Sequence, residues 1–427
     1  MTAPNGSIVF NNSTGSDTQS SGLGPSTAVY GSGASTTGSS AVVTGIDTTG
    51  VSPGDLLWVQ SSSGRQFSII LSVDSSTQVT CDDQFANTES SRTWAIGGKR
   101  ATLDSSVELF EYNYNNGKSY DVELETDQTI TTAINGTGGR GVTLRIKSDT
   151  PNTKRTITCS AQEVFKGGYI YATDLNFEST NATGYMQQST NSGTVWYGHF
   201  YGTRCNFGNS TNNFSQFFNF LSTTYSSFSE CTFDSFSSYV FYYSFPDCVK
   251  CSFVNNANYI VYYNGTAPVT GSFVSCLFNN NVGGFRWRKG WNGTLYGCII
   301  NNTGQGSTPL IDGTTDSTNE WKFIESNIIS NCSVALNSTV ESNTLVGRNA
   351  YYNNGFTEPL PNDANGITLT ADPFVDAANG DFNIKSSSIL AGNNYSINSN
   401  TTIHPFRHFV SSYFQTTNNT MKTHPLS

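Results

Sequence analysis

The chain has 427 residues, 21 Lys and Arg against 31 Asp and Glu, a formal net charge of −10 at pH 7 and only 12% charged residues. The acidic balance excludes a partner held through nucleic-acid phosphates, and the lack of any apolar run of about 18 residues excludes a helical membrane span. Aromatic residues make up 13% of the chain, enough apolar surface to separate it from disordered Gly/Ser/Thr-rich sequences.

Residues 1–40 are rich in Gly, Ser and Thr and are expected to form an extended N-terminal arm. The opening Met-Thr-Ala-Pro-Asn-Gly-Ser lacks the basic and apolar runs of a signal peptide, and none is expected. From 41 to 100 the pattern changes to short apolar runs such as Asp-Leu-Leu-Trp-Val-Gln (55–60) and Gln-Phe-Ser-Ile-Ile-Leu-Ser-Val (66–73). Turn signals at Pro53-Gly54-Asp55 and Asp74-Ser75-Ser76 separate them. That alternation predicts a small antiparallel β module. Strands at Val142–Ile146 and Thr156–Cys159 are expected to begin a second unit, spanning 101–395, and 396–427 reads as a polar C-terminal tail.

Within 169–354 one five-residue phrase returns. It reads Leu-Asn-Phe-Glu-Ser at 175–179, Cys-Asn-Phe-Gly-Asn at 205–209, Cys-Thr-Phe-Asp-Ser at 231–235 and Cys-Ser-Phe-Val-Asn at 251–255. Further copies start at 276, 298, 327 and 350, the last being Ala-Tyr-Tyr-Asn-Asn at 350–354, and the mean step is 25 residues. A period in that range marks a solenoid, and the alternation within the phrase marks strands. Positions one and three therefore point inward. Successive copies are expected to lie about 4.8 Å apart and to form columns. Cys205, Cys231, Cys251, Cys276 and Cys298 would stack inside, with Asn255, Asn280, Asn302, Asn331 and Asn354 at a bend, where side-chain amides can bond along the column. Nine cysteines, five of them in one inward column, read as buried hydrophobes and not as a disulfide framework. The expected fold is all-β: a parallel β-helix of about 25 residues per coil, behind a small N-terminal antiparallel β module.

The repeat body resembles the right-handed parallel β-helix superfamily that includes pectate lyases and bacteriophage tailspikes. Ala371-Asp372-Pro373-Phe374-Val375-Asp376 followed by Gly380-Asp381-Phe382-Asn383-Ile384 is similar to a closing segment of that superfamily, with Ser387-Ser388-Ile389 where Ser-Pro is usual. Residues 41–100, with Gly54-Asp55-Leu56-Leu57 and Val73-Asp74-Ser75-Ser76-Thr77-Gln78-Val79, resemble small β modules at the N-termini of phage tail proteins. The resemblance implies a virion protein made in the host cytoplasm. It implies a homotrimer, attached to phage tail or capsid proteins by its N-terminal region, whose β-helix binds or depolymerises host-surface polysaccharide. No cofactor and no metal are expected. Two other readings stay open: a structural spike or decoration protein without sugar contact, and a secreted bacterial polysaccharide lyase or hydrolase.

Two sets of residues are candidates for chemistry. Glu178 and Asp234 occupy position four of the phrase two coils apart, with Gly208 between them. A spacing of about 9–10 Å approaches the upper range for an inverting carboxylate pair. They equally extend an outward ladder of alternating charge, Asp174, Arg204, Glu230 and Lys250. Asp312, Asp316, Glu320 and Glu325 form a second acidic group. Aromatic residues form the stronger set. Aligning Tyr239–Tyr243, Tyr259–Tyr263 and Gly284–Arg288 predicts an outward face of Tyr239, Phe241, Tyr243, Tyr259, Tyr263, Arg286 and Arg288, followed by Trp291. Exposed rings can stack on sugar faces, and arginines can hold acidic groups bidentately. The same composition suits a subunit interface.

Three motif matches carry no chemistry. Gly50-Val51-Ser52-Pro53-Gly54 fits a nucleophile-elbow string, but Pro53 has no N–H to offer an oxyanion. Cys248 and Cys251 lack a second pair for zinc. His404 and His408 have ligand-like spacing with no further ligand beside them.

Overall fold

The structure is a computed structural model. It describes residues 6–392 except 105–108, 110–119, 136–142, 189, 192–193, 196–197, 220–225, 243, 245, 264–268, 288–290, 307, 309, 314–320, 334–344, 357, 360–362 and 364. The chain winds as a parallel β-helix. One coil shows the plan: strand Gly168–Thr173, a bend, strand Leu175–Ser179, a second bend, strand Tyr185–Gln188, then a return to Gly198–Thr203 one rung further on. Like strands stack into three parallel sheets. Sheet I runs from Ser7–Phe10 and Tyr120–Leu124 to Leu345–Gly347. Sheet II holds the phrase and runs from Gln128–Ile130 to Ile367–Thr368. Sheet III runs from Ile134–Asn135 to Ile311–Gly313.

The corners around sheet II explain why the phrase is five residues long. The residue before each strand has a left-handed backbone: Asp174, Arg204, Glu230, Lys250, Ser275, Ser326 and Arg348 have φ between 52° and 60°, and Gly297 has φ 62°. So does the residue that ends it: Gly208, Ser235, Asn255, Asn280, Asn302, Asn331 and Asn353. Each such corner costs a non-glycine residue free energy, and the next rung offsets it. Arg204 N donates to Ser229 O at 2.9 Å, Lys250 N to Val274 O at 3.0 Å and Asn280 N to Asn301 O at 3.1 Å. Asn tolerates the left-handed conformation better than most residues and adds a side-chain ladder. Asn280 Nδ2 donates to Asn255 Oδ1 at 2.7 Å, Asn302 to Asn280 at 2.9 Å and Asn353 to Asn331 at 2.8 Å. Asn331 bonds sideways to Asn301 at 2.8 Å. The column ends on Asn353 and not on the expected Asn354. Ala350 pairs with Ile328, so the last copy begins at Asn349. Asn354 turns inward, donating to Ile329 O at 2.9 Å.

The interior follows from positions one and three. Phe177, Phe207, Phe233, Phe253 and Phe278 stack with centroid steps of 5.4, 5.0, 4.8 and 5.0 Å and interplanar angles of 4–22°. Cys205, Cys231, Cys251, Cys276 and Cys298 line up beside them, buried and free of disulfides. Burial pushes up the thiols of Cys231, Cys248 and Cys276, that of Cys159 to about 11 and that of Cys332 to about 12.

The N-terminal stretch is not a plain arm, and the tail expected at 396–427 lies outside the described residues. Ser7–Phe10 is the first strand of sheet I, pairing with Asp121–Leu124, and Val29–Thr36 is the first strand of a closed six-stranded antiparallel barrel ending at Glu89–Ile96. The stretch 1–40 is thus shared: Ile8 and Phe10 alternate inward as a strand of the solenoid, and Val29–Thr36 belongs to the barrel. Leu56, Trp58 and Phe67 of the barrel share one apolar cluster with Phe10 and Leu124, so the barrel plugs the first coil. Arg100 lies in that joint with no exposed surface, its guanidinium 6.0 Å from the Phe67 ring and 4.0 Å from the Asp17 carboxylate.

At the other end the closing segment lies along a side wall. Strands Phe374–Asp376 and Asp381–Ile384 form a hairpin. Phe374, Phe382 and Leu390 cover an outward stripe of sheet II made of Leu277, Ile299, Ile328, Ala350 and Ile367. The outward residues of the preceding rungs, Asn176, Asn206, Thr232 and Ser252, are polar and lie outside that cluster. Just before the last strand of sheet II stands Asp363, a buried carboxylate whose Oδ2 accepts from Asn349 N and Nδ2 and from the Tyr351 hydroxyl at 2.8–3.1 Å.

Phe374→Ala is expected to destabilise the chain by about 3 kcal/mol or more, because it empties a closed apolar site; denaturant unfolding measures this. Thiol reagents should label none of the nine cysteines in the folded chain and all nine after unfolding. The raised thiols contribute stability that is complete below about pH 9. It is lost as pH rises through their folded values of about 11 to about 12, so Tm should fall over that alkaline range.

Candidate functional site

Parallel stacking also sets the outer surface. Residues in one column sit about 4.8 Å apart, so outward aromatic residues on neighbouring rungs come to stacking distance of each other. On sheet III the outward column is Tyr242, Tyr262 and Arg286, in direct register, and Arg286 pairs with Asp312 on the next strand. Tyr239, at the turn before Tyr242, swings over the same column. Its ring lies 4.5 Å from that of Tyr262 at 26° and 5.4 Å from that of Tyr242 at 12°. The Arg286 guanidinium closes the other side, 5.2 Å from the Tyr262 ring and 5.7 Å from that of Tyr259. Burial, then the neighbouring Tyr262, raises the Tyr239 phenol above its ordinary value.

This patch differs by one residue from the expected one. Phe241 has no exposed surface and points into the core against Phe217, Phe228 and Phe233. Tyr259 and Tyr263 are buried. Tyr259 pairs with Gly283, whose missing side chain leaves room for the tyrosine ring; a Cβ there would come within 2.8 Å of it. The cause is a turn one residue shorter after Asn280 than after Asn255, which pairs Arg286 with Tyr262 and not with Val261. In a strand such a slip moves every side chain to the other face. Tyr239 and Arg286 are outward as expected; Tyr242 and Tyr262 are the residues the sequence reading passed over, each beside one that it chose. Tyr243 and Arg288 lie outside the described residues, and Trp291 opens a sheet I strand.

A second outward stack lies on sheet I. Tyr171 and Tyr201 face each other at 4.4 Å and 10°, Tyr169 and His199 at 4.5 Å and 16°. Arg145 lies 5.9 Å from the Tyr171 ring and pairs with Asp121 at 3.3 Å. Burial raises the Tyr201 phenol, and Tyr171 adds to the shift. The signal was legible: Tyr169-x-Tyr171 recurs as His199-x-Tyr201 after 30 residues, the same step that separates Leu175 from Cys205.

Glu178 and Asp234 stand two rungs apart on sheet II, as their places in the phrase predict. Glu178 Oε2 accepts from Asn212 Nδ2 at 3.1 Å, and Asp234 Oδ1 from Ser235 Oγ at 2.8 Å and Asn255 Nδ2 at 3.3 Å. Among the described residues no hydrogen bond joins the two. Gly208 sits between their rungs as a left-handed corner with φ 76°, and a Cβ on it would come within 2.4 Å of Asp234 O. The charge ladder beside them is formed. Arg204 holds Asp174 through two 2.7 Å bonds, and Lys250 lies 3.7 Å from Glu230. The Arg204 bonds hold the Asp174 carboxyl below its ordinary value. Asp312 is on sheet III, whereas Glu325 is on sheet I beside Arg348 at 3.7 Å. Asp316, Glu320, His404 and His408 lie outside the described residues. Cys248 and Cys251 are buried on either side of the Lys250 corner. Among the described residues no group of three or more His, Cys, Asp or Glu is placed to hold a metal ion, and no helix is long and apolar enough to cross a membrane.

No protein-family model and no curated protein matches the chain. Among solved structures the chain aligns with the tailspike protein gp49 from Pseudomonas phage LKA1, at 9% identity and a TM-score of 0.22, over 82% of this chain. It spans 64% of the length of that tailspike. A likeness of that size says nothing of binding or activity.

If Glu178 and Asp234 are ladder members and not an acid and a base, Glu178→Gln and Asp234→Asn should leave any depolymerase activity on capsule or lipopolysaccharide within about twofold of wild type. A loss of two or more orders of magnitude in reducing ends or unsaturated products would restore the pair to catalysis.

Proposed function

We propose that the chain is a virion spike protein that recognises host-surface polysaccharide on the outer wall of its β-helix. The observation that carries this reading is the register of Tyr242, Tyr262 and Arg286 with Tyr239 stacked across them. Three rungs thereby hold a rigid outward surface of phenols and a guanidinium, groups suited to sugar hydroxyls and acidic substituents. Rigidity matters, because a surface already ordered before binding gives up little entropy to its ligand. The sequence resemblances of 41–100 to phage tail modules and of 371–384 to a β-helix closing segment support the same reading. With it go a homotrimer, attachment to tail or capsid proteins through the barrel end, and a role as binder ahead of depolymerase.

A glycan array carrying capsule and lipopolysaccharide fragments tests it. Wild type should be retained on a restricted set of glycans, and Tyr262→Ala, which removes the centre of the stack, should weaken that binding about tenfold or more. Retention of no glycan by wild type would count against the reading. A second reading, a subunit interface on the same wall, is favoured by the enrichment of Tyr and Arg at such surfaces. It predicts that Tyr262→Ala lowers the sedimentation mass towards one chain.

A further inference from the structure

Two files of inward asparagines flank sheet II, one at each corner, and both end on a carboxylate. Cys298, Asn327 and Asn349 each stand one residue before strands that pair rung to rung, so the cysteine file continues as asparagines. The backbone N–H of each donates to the side chain of the next: Cys298 to Asn327 Oδ1 at 2.8 Å, Asn327 to Asn349 Oδ1 at 3.0 Å. Asn327 Nδ2 donates the same way, to Asn349 Oδ1 at 2.9 Å, and also backward to Leu295 O at 3.2 Å. Asn349 is the last amide, and its N and Nδ2 both donate to Asp363 Oδ2, at 3.1 and 2.8 Å. The file at the other corner ends alike. Cys332 N donates to Asn354 Oδ1 at 2.9 Å, and Asn354 N and Nδ2 donate to Glu358 Oε1 at 2.8 and 2.7 Å.

The direction of these bonds sets a requirement at the end of the solenoid. Each inward asparagine receives from the rung before and gives to the rung after, so the last rung is left with donors and no further rung to take them. A buried N–H without an acceptor is rarer in folded chains than an acceptor with a spare lone pair. An ionised carboxylate accepts and has nothing to donate. Asp363, 3% exposed, takes a third bond on Oδ2 from the Tyr351 hydroxyl at 2.9 Å, and its buried Oδ1 has no hydrogen-bond partner among the described residues. The file thus ends on surplus acceptor capacity. Another asparagine there would carry a donor that needs yet another acceptor.

We propose that Glu358 and Asp363 are the stop signal of the solenoid: they end the two amide files, fix the last rung and release the chain into the closing hairpin. Past Asp363 the backbone runs once more along sheet II, with Ile367 N bonded to Asn349 O at 2.9 Å and Leu369 N to Tyr351 O at 2.7 Å. Leu369 then joins Phe374 and Phe382 in the cluster that seals the outer wall. The strand that carries the closing segment therefore hangs on Asn349 and Tyr351, the two residues whose side chains Asp363 holds. Asp363 and Glu358 are positioning residues, and their role does not depend on what the outer wall binds.

Hydrogen exchange of the full chain, read by mass spectrometry, tests this. Asp363→Ala removes the acceptor, and Asp363→Leu removes it while filling the space. Both should speed exchange about tenfold or more in peptides covering 327–330, 349–352 and 367–369, and leave peptides covering 205–207 and 231–234 within about twofold of wild type. Where a variant at 363 fails to fold, Glu358→Ala, at the half-buried file, decides: it should speed exchange at Cys332 and Asn354 by about tenfold and leave the rungs before Cys298 unchanged. Asp363→Leu protected as well as wild type would make Asp363 a space filler and overturn the proposal. Acceleration spread evenly over all rungs would make it an ordinary core residue and overturn it too. Exchange like that of wild type in every variant would show that the last donors need no acceptor, with the same result.

Discussion

Every part of this molecule depends on the backbone hydrogen bonds that tie one coil to the next at the corners of sheet II. A left-handed residue is costly for anything but glycine, yet the chain places Arg204, Glu230, Lys250 and Arg348 in that conformation, each with φ near 55°. It does so because the N–H of each corner reaches the carbonyl of the following rung, as Glu230 N reaches Val249 O at 3.0 Å. A corner residue therefore has little choice of conformation once its neighbours are in place. This is the near-neighbour coupling from which solenoids draw their stability. The barrel and the C-terminal hairpin extend the coupling beyond neighbours. One closes the first coil with Trp58 and Phe67, and the other covers Ile299, Ile328 and Ala350 with Phe374 and Phe382.

The same periodicity that builds the core dictates what the surface can do. Inside, a column of one residue type gives a stack of phenylalanines and a file of cysteines, all buried. Outside, it gives ladders whose members engage each other before they engage anything else: Arg204 with Asp174, Asn280 with Asn255, Tyr239 with Tyr262. Surface groups on a β-helix wall are thus partly satisfied by their own repeats. The carboxylates of Glu178 and Asp234 are likewise each engaged by a neighbouring amide.

The columns of sheet II were legible in the sequence because the phrase has a fixed length between two corners. Cys231, Cys251 and Cys276 stand where the period of about 25 residues puts them. The outer face of sheet III was not legible, because its register depends on the turn between the sheets, which varies by a residue. Asn280 to Gly283 spans one residue fewer than Asn255 to Tyr259. A register inferred from outward Arg286 is therefore displaced by one residue on the earlier rungs, where Phe241, Tyr259 and Tyr263 face inward and Tyr242 and Tyr262 outward. The slip at Asn354 has the same origin, since the last copy starts at Asn349. The parallel pairing of Ser7–Phe10 with Asp121–Leu124 was hidden for another reason. More than a hundred residues, including the whole barrel, intervene between strands that are neighbours in space.

The stacking of coils is best tested by a distance along the Asn column, where the corners are exposed and the native thiols are buried. Cysteines introduced at Asn255 and Asn353 can carry spin labels without interference from Cys231 or Cys251. Four rungs separate the two positions, so the backbone distance should be about 19 Å, four strand spacings. A single narrow distribution consistent with that separation would match the stacked coils. A broad distribution, or one centred at about twice that length, would contradict the solenoid and with it every surface column described above.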